Sequence, residues 1–149
     1  MQEILRLFPP SMAPDVFAAI KDRFSTLEEI RLRVDKPIEL IFTSRSSWIK
    51  EVIFSSKDRD FVLTQLSEHS LYRLETELKE GFITIDGGHR VGLAGKVHLH
   101  KGQVAGMHFI SSFNIRIAKQ IRHLALDLLP YLDHGQTYGH TLIIGSPQA

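Results

Sequence analysis

The chain has 149 residues, a hydrophobic share of 43%, a charged share of 23% and a formal charge of +1. A chain of this length buries roughly 68–70% of its unfolded surface and suits one domain, with room for a short piece of a second. Eighteen Lys and Arg against seventeen Asp and Glu argue against a primary binder of nucleic acid or anionic membrane, and the lack of cysteine excludes a disulfide framework or thiolate metal site.

The N-terminal stretch MQEILRLFPPSMAPDVF has no basic segment leading into a long apolar one, so no secretory leader is expected. No stretch approaches the ~18 apolar residues of a membrane span. With the missing cysteines, this points to a cytosolic protein.

EILRLF reads as a short helix stopped by Pro9-Pro10. PDVFAAIKDRF then sets Val16, Phe17, Ile20 and Phe24 at helical spacing. Ile30, Leu32 and Val34 alternate with Arg31 and Arg33 as a half-buried strand, Asp35-Lys36-Pro37 turns, and Ile38 to Phe42 returns. TSRSS is a loop before a short strand from Trp48 to Phe54. Ser55 or Ser56 caps a helix from Lys57 to about Glu68, presenting Phe61, Val62 and Leu66. A second helix is expected from Leu71 to Glu80, ended by Gly81.

Phe82 to Ile85 is the next strand, Asp86-Gly87-Gly88 a hairpin turn, and Arg90 to His98 the return. His100-Lys101-Gly102 turns into Gln103 to Ile110, with a separate strand from Phe113 to Ala118. Leu124 to Leu132 reads as a helix despite Pro130, 134–137 as a linker, and Thr141 to Ile144 as a terminal strand. Strands follow strands through tight turns, so the expected fold is α+β: N-terminal helices and a largely antiparallel meander sheet.

Charge is uneven. Seven of the eight histidines lie beyond Glu75, with seven basic and five acidic residues, so an anionic ligand would favour the second half. Arg90 in HRVGLAG and Arg116 in FNIRIA each interrupt an apolar strand pattern. A rigid arginine fork there suits phosphate oxygens, but by pattern alone an exposed or salt-bridged sheet face is the favoured reading. Arg31 and Arg33, with Glu28 and Glu29 beside them, read as a solvated charged face. GGHRVGLAGKV lacks the dinucleotide-loop spacing, so its glycines belong to a hairpin, with Gly92 and Gly95 marking a bulge or a close backbone approach. His98 and His100 share a strand side without a third ligand, and Lys96 and Lys101 would repel a metal cation.

The last eight residues, LIIGSPQA, run from an apolar stretch into a glycine, as a buried strand enters a phosphate loop. The P-loop pattern needs Gly-Lys-Ser/Thr after four further residues. Here the half-motif is compatible with that loop and with a plain C-terminal strand and tail.

LEEIRLRVDKPIEL, HSLYRLETELKEGFITIDGGHRVGLAGKV, ISSFNIRIAKQI and LLPYL before TLIIGSPQA resemble, in order, the stage III sporulation protein AA family of endospore-forming bacteria. The resemblance implies a P-loop ATPase related to type II and type IV secretion ATPases. Such a protein would be a cytoplasmic motor in the mother cell, peripheral to the channel between mother cell and forespore.

The resemblance further implies an N-terminal α+β domain over 1–135 and, over 136–149, a linker and the first strand of a RecA-like P-loop domain cut inside its nucleotide site. Gly145, Ser146, Pro147, Gln148 and Ala149 would match the first five P-loop positions, and Arg90 and Arg116 the strand arginines that reach nucleotide phosphates. ATP and Mg2+ would be the whole protein's cofactors, with none expected in this piece, which lacks the P-loop lysine. Expected partners are other stage III sporulation channel proteins, one of them membrane-anchored, and five further copies in a homo-hexamer. The alternative is a non-catalytic docking module for the cytosolic face of a membrane complex. A single-stranded nucleic-acid module ranks last, because no basic, aromatic-interleaved groove is evident.

Overall fold

The structure, a computed structural model, describes residues 1–67, 81–100, 103–119, 126–132, 140–142, 144 and 145. The chain divides into two compact units, Met1–Ala118 and Lys119–Ala149.

In the first unit, α1 (Gln2–Leu5) and α2 (Ala13–Ile20) come first. Proline stands in the first turn of α2, where its missing N–H costs nothing. Met12, Val16 and Ile20, four residues apart, are buried. Phe17 lies one step around from that stripe and is exposed, contrary to the sequence expectation. The helix also ends at Ile20, so Phe24 falls in a separate 3-10 turn, Phe24–Thr26.

Strands β1 (Leu27–Arg33), β2 (Lys36–Phe42) and β3 (Arg45–Phe54) form one antiparallel meander. β3 starts earlier than expected, because Thr43 and Ser44 alone make the turn. Asp35 takes φ 62° in the β1–β2 turn, a conformation that Asp tolerates, and its N–H donates to the Phe54 carbonyl at 2.8 Å. Helix α3 (Ser56–Ser67) follows. The Ser55 N–H and hydroxyl both donate to Asp58 Oδ2, at 2.7 and 2.6 Å, and the Asp58 N–H donates back to Ser55 Oγ at 3.3 Å. This reciprocal cap fixes the helix start where the sequence put it. The helix expected from Leu71 to Glu80 lies outside the described residues.

Strands β4 (Phe82–Thr84), β5 (Arg90–His100) and β6 (Gln103–Arg116) form a second antiparallel meander. Gly87 and Gly88 occupy the left-handed region between β4 and β5, as a tight DGG turn requires. Residues 113–116 are not a separate strand: β6 runs through Ser111 and Ser112, and the ladder with β5 slips between Ala94 and Lys96 without ending. Gly95 sits in that slip, as one of the two readings of the strand glycines had it.

Pairing of β1 with β6 joins the two meanders, so the order is β3-β2-β1-β6-β5-β4 among the described residues. The fold is therefore α+β, with N-terminal helices and an antiparallel sheet. Inward residues of every strand join those of the helices in one hydrophobic cluster, where Phe54 and Phe113 meet edge to face at 6.0 Å between ring centroids.

In the second unit, a 3-10 turn (Leu126–Leu128) leads into α4 (Leu129–Leu132). One unbroken helix was expected. Pro130 lacks an N–H and its ring clashes with the carbonyl four residues back, so it fits only the first turn of a new helix. Residues 140–142, 144 and 145 belong to no strand, and Leu142 and Ile144 are 83% and 86% exposed. Such exposure does not suit a buried strand, which needs neighbouring strands on both edges. No helix among the described residues is long and apolar enough to cross a membrane.

Candidate functional site

Inward-facing Val91, Leu93, Phe113 and Ile115 force their neighbours in β5 and β6 onto the opposite face of the sheet. Arg90 and Arg116 both lie there, and the register sets them directly opposite each other. The row continues to Thr84 on β4 and Glu29 on β1. One step along, Phe82, Gly92, Asn114 and Arg31 form the next row.

Between these rows is a pocket of about 220 Å3, lined by Gly81, Phe82, Arg90, Gly92, Asn114 and Arg116. The Arg90 guanidinium lies 5.3 Å from the centroid of the Phe82 ring, which favours a cation over its face. A Cβ at Gly92 would make only ordinary contact with Asn114, at 3.8–3.9 Å. The glycine therefore serves openness more than close backbone approach.

Neither Arg90 nor Arg116 forms an ion pair among the described residues. Glu29 is the nearest carboxylate in register to Arg116, but it accepts from Arg31 Nε at 3.0 Å. Arg33 in turn binds Glu39 at 2.9 Å, and Arg31 lies 3.8 Å from the same carboxylate. Hydrogen bonding and charge from Glu29 raise the Arg31 pKa further above its ordinary value. Arg31 and Arg33 thus lie on a charged face, as the sequence suggested, but one held by salt bridges, with Glu39 as a partner the spacing did not reveal. The two arginine pairs differ: one is neutralised in place, and the other has no ion pair among the described residues.

Pattern reading missed His89, which precedes Arg90. It is 5% exposed, and its Nδ1 accepts the Ala118 N–H at 2.9 Å. Nε2 therefore carries the proton in the neutral ring. Burial is the main reason its pKa falls below 6.5; the N-terminal ammonium adds to this and Glu3 opposes it. The signal was present: extending the inward alternation of Leu93 and Val91 back by two residues turns His89 inward. That hydrogen bond fastens the end of the Arg90–Arg116 ladder.

Gly145 is exposed, while Ser146, Pro147, Gln148 and Ala149 lie outside the described residues. His98 and His100 both fall on β5. Among the described residues, no three His, Cys, Asp or Glu side chains group as metal ligands do.

A family model described as "Sporulation stage III, protein AA" matches residues 1–149. The chain belongs to the sporulation stage III protein AA family. It is 43% identical over 148 residues to the stage III sporulation protein AA of Bacillus subtilis (strain 168), covering 99% of this chain and 48% of that relative. The chain thus spans about half the length of the curated family member it matches. No solved structure matches it. Within this family member, the arginine pair and its pocket are the described feature best suited to an anionic ligand.

Proposed function

We propose that the chain is the N-terminal part of a secretion-type P-loop ATPase, in which Arg90 and Arg116 hold phosphate oxygens of the nucleotide. The observation that carries this reading is the direct cross-strand opposition of two arginines beside a pocket, with no ion pair to either among the described residues. Like charges directly opposite on a sheet disfavour each other. An anion between them turns that repulsion into two charge-assisted contacts, and the guanidinium fork matches phosphate geometry. The Arg90 guanidinium lies near the Phe82 ring and Gly92 adds no side chain, which leaves room for an anion at the pocket.

In this reading residues 1–135 are the α+β domain, and 136–149 are the linker and first strand of a RecA-like domain. Thr141 to Ile144 would become a buried strand only once neighbouring strands of that domain flank it. Gly145 to Ala149 would open its phosphate loop. ATP with Mg2+ would supply the phosphoryl group and the charge neutralisation of phosphoryl transfer. The arginine forks fit the phosphates; the metal ligands, the P-loop lysine and the water-positioning residue are assigned to none of these 149 residues. The chain alone is accordingly expected to lack ATPase activity and to bind nucleotide weakly. The whole protein would act as a homo-hexamer on the cytoplasmic, mother-cell side of a channel complex, attached to a membrane-anchored sporulation protein.

Steady-state ATP hydrolysis by the full-length protein tests the reading. Charge-assisted contacts contribute roughly 1.5–3 kcal/mol each, so Arg90→Gln or Arg116→Gln should lower kcat/KM by about 10- to 100-fold. A folded double variant that hydrolyses ATP at the wild-type rate would overturn it.

A further inference from the structure

Strands β5 and β6 continue past the sheet as a two-stranded ribbon. β4 meets β5 only as far as Gly92, and β1 meets β6 only as far as Ser112. From Lys96 to His100 and from Gln103 to His108, the strands pair only with each other among the described residues. At the root of the ribbon the register slips: Ala94 faces Ser112 while Lys96 faces His108, leaving Phe109, Ile110 and Ser111 opposite Gly95 alone.

The slip turns Phe109 outward. It takes φ 50° and is 77% exposed, while Ile110 next to it is buried. A bulky aromatic in the left-handed region is an outlier among non-glycine residues. Bulges commonly re-aim a side chain, and backbone strain clusters where ligands bind. Phe109 therefore carries two unfavourable features at once, strain and exposed apolar surface.

Its surroundings are concave and cationic. A pocket of about 510 Å3 beside it is lined by Val34, Arg59, Gly95, Lys96 and Phe109 among others. Lys96 Nζ lies 5.6 Å from the Phe109 ring centroid. Arg59 is partly neutralised by Asp60 at 2.8 Å, which leaves Lys96 as the main cation at the rim. From Val91 to Ile115, which spans the ribbon and its root, the sequence has two Lys and no Asp, Glu or Arg, although the chain as a whole is nearly neutral.

We propose that Phe109 and the adjoining pocket dock an acidic segment of a partner protein. An apolar side chain of that segment would enter the pocket, and its carboxylates would face Lys96 and the acid-free ribbon. Charge complementarity selects the acid, and the pocket beside Phe109 takes a polypeptide side chain more readily than a flat bilayer. The proposal does not depend on the nucleotide reading, because it uses other residues.

Selection from a phage-displayed library of random short peptides on the immobilised chain tests it. The enriched peptides should be acidic around an apolar residue. Phe109→Asn keeps a residue tolerant of the left-handed region, so its thermal midpoint should equal or exceed that of the parent. Loss of a central aromatic anchor should nevertheless weaken a selected peptide by about tenfold or more. Lys96→Glu should weaken it as well, most at low salt.

The proposal fails if enrichment shows no acidic bias, or if Phe109→Asn lowers the thermal midpoint and leaves peptide affinity unchanged. It also fails if the chain binds phosphatidylglycerol vesicles but no peptide is enriched, which would make the ribbon a membrane contact. Self-association abolished by Phe109→Asn, with no peptide enriched, would assign the surface to a second copy of the chain.

Discussion

Replacing Arg90 and Arg116 by glutamine, singly and together, should expose a repulsive coupling between them in urea unfolding at low salt. Directly opposite residues in an antiparallel pair have Cβ atoms about 5 Å apart. At that spacing Coulomb's law gives about 0.8 kcal/mol in a water-like dielectric. Both arginines are exposed, so the coupling should fall between about 0.2 and 0.8 kcal/mol, within the range for cross-strand pairs.

Single substitutions also change other things, namely the stacking of Arg90 on Phe82 and the charge that Arg116 sets across from Glu29. The double-mutant cycle cancels these and leaves the pair term. Raising salt to about 1 M shortens the screening length to about 3 Å and should erase the coupling. Inorganic phosphate at a concentration equal to its Kd should stabilise the wild type by about 0.4 kcal/mol and the double variant not at all. An attractive or absent coupling at low salt, or phosphate stabilisation that survives in the double variant, would refute the reasoning.

The buried His89 makes a pH prediction. Its folded pKa lies below its unfolded value near 6.5, so the folded state binds fewer protons between the two values. Its contribution to stability is fully present above about pH 6.5 and is lost as pH falls toward the folded value. Thermal midpoints should drop over that interval in the wild type, and His89→Gln should show a smaller drop; equal slopes would contradict this. Ser55→Ala removes the hydroxyl that accepts the Asp58 N–H and should cost about 1 kcal/mol in urea unfolding. Gly92→Leu should fill the pocket between the arginines and abolish phosphate stabilisation, with circular dichroism showing the fold retained.

Much of the fold follows from local chemistry that a single sequence displays. Alternation in EIRLR and KPIELIF, the DGG turn, and Ser55 ahead of a helical run each led to an element in the structure. What escaped depends on contacts distant in sequence. Pairing of β1 with β6 joins residues some eighty positions apart, and no local pattern announces it. Arg90 and Arg116 were each visible as charged interruptions of apolar strands. Their opposition required the register of a ladder that slips at Gly95. The same slip hid the outward Phe109, which by pattern belongs to an apolar strand, and made two strands out of one at Ser111-Ser112. Phe17 misled because its spacing from Ile20 and Phe24 suits a longer helix than the one that forms.

Titrating ATP and adenosine separately into the full-length protein, wild type and Arg90→Gln/Arg116→Gln, tests the central claim most directly. If the two arginines hold phosphate oxygens, the double variant should lose about a hundredfold or more in ATP affinity, since each charge-assisted contact contributes at least ~1.5 kcal/mol. Its adenosine affinity should remain that of the wild type. Equal ATP affinity in the two proteins would contradict the account and leave the pair as an exposed sheet face with no part in nucleotide binding.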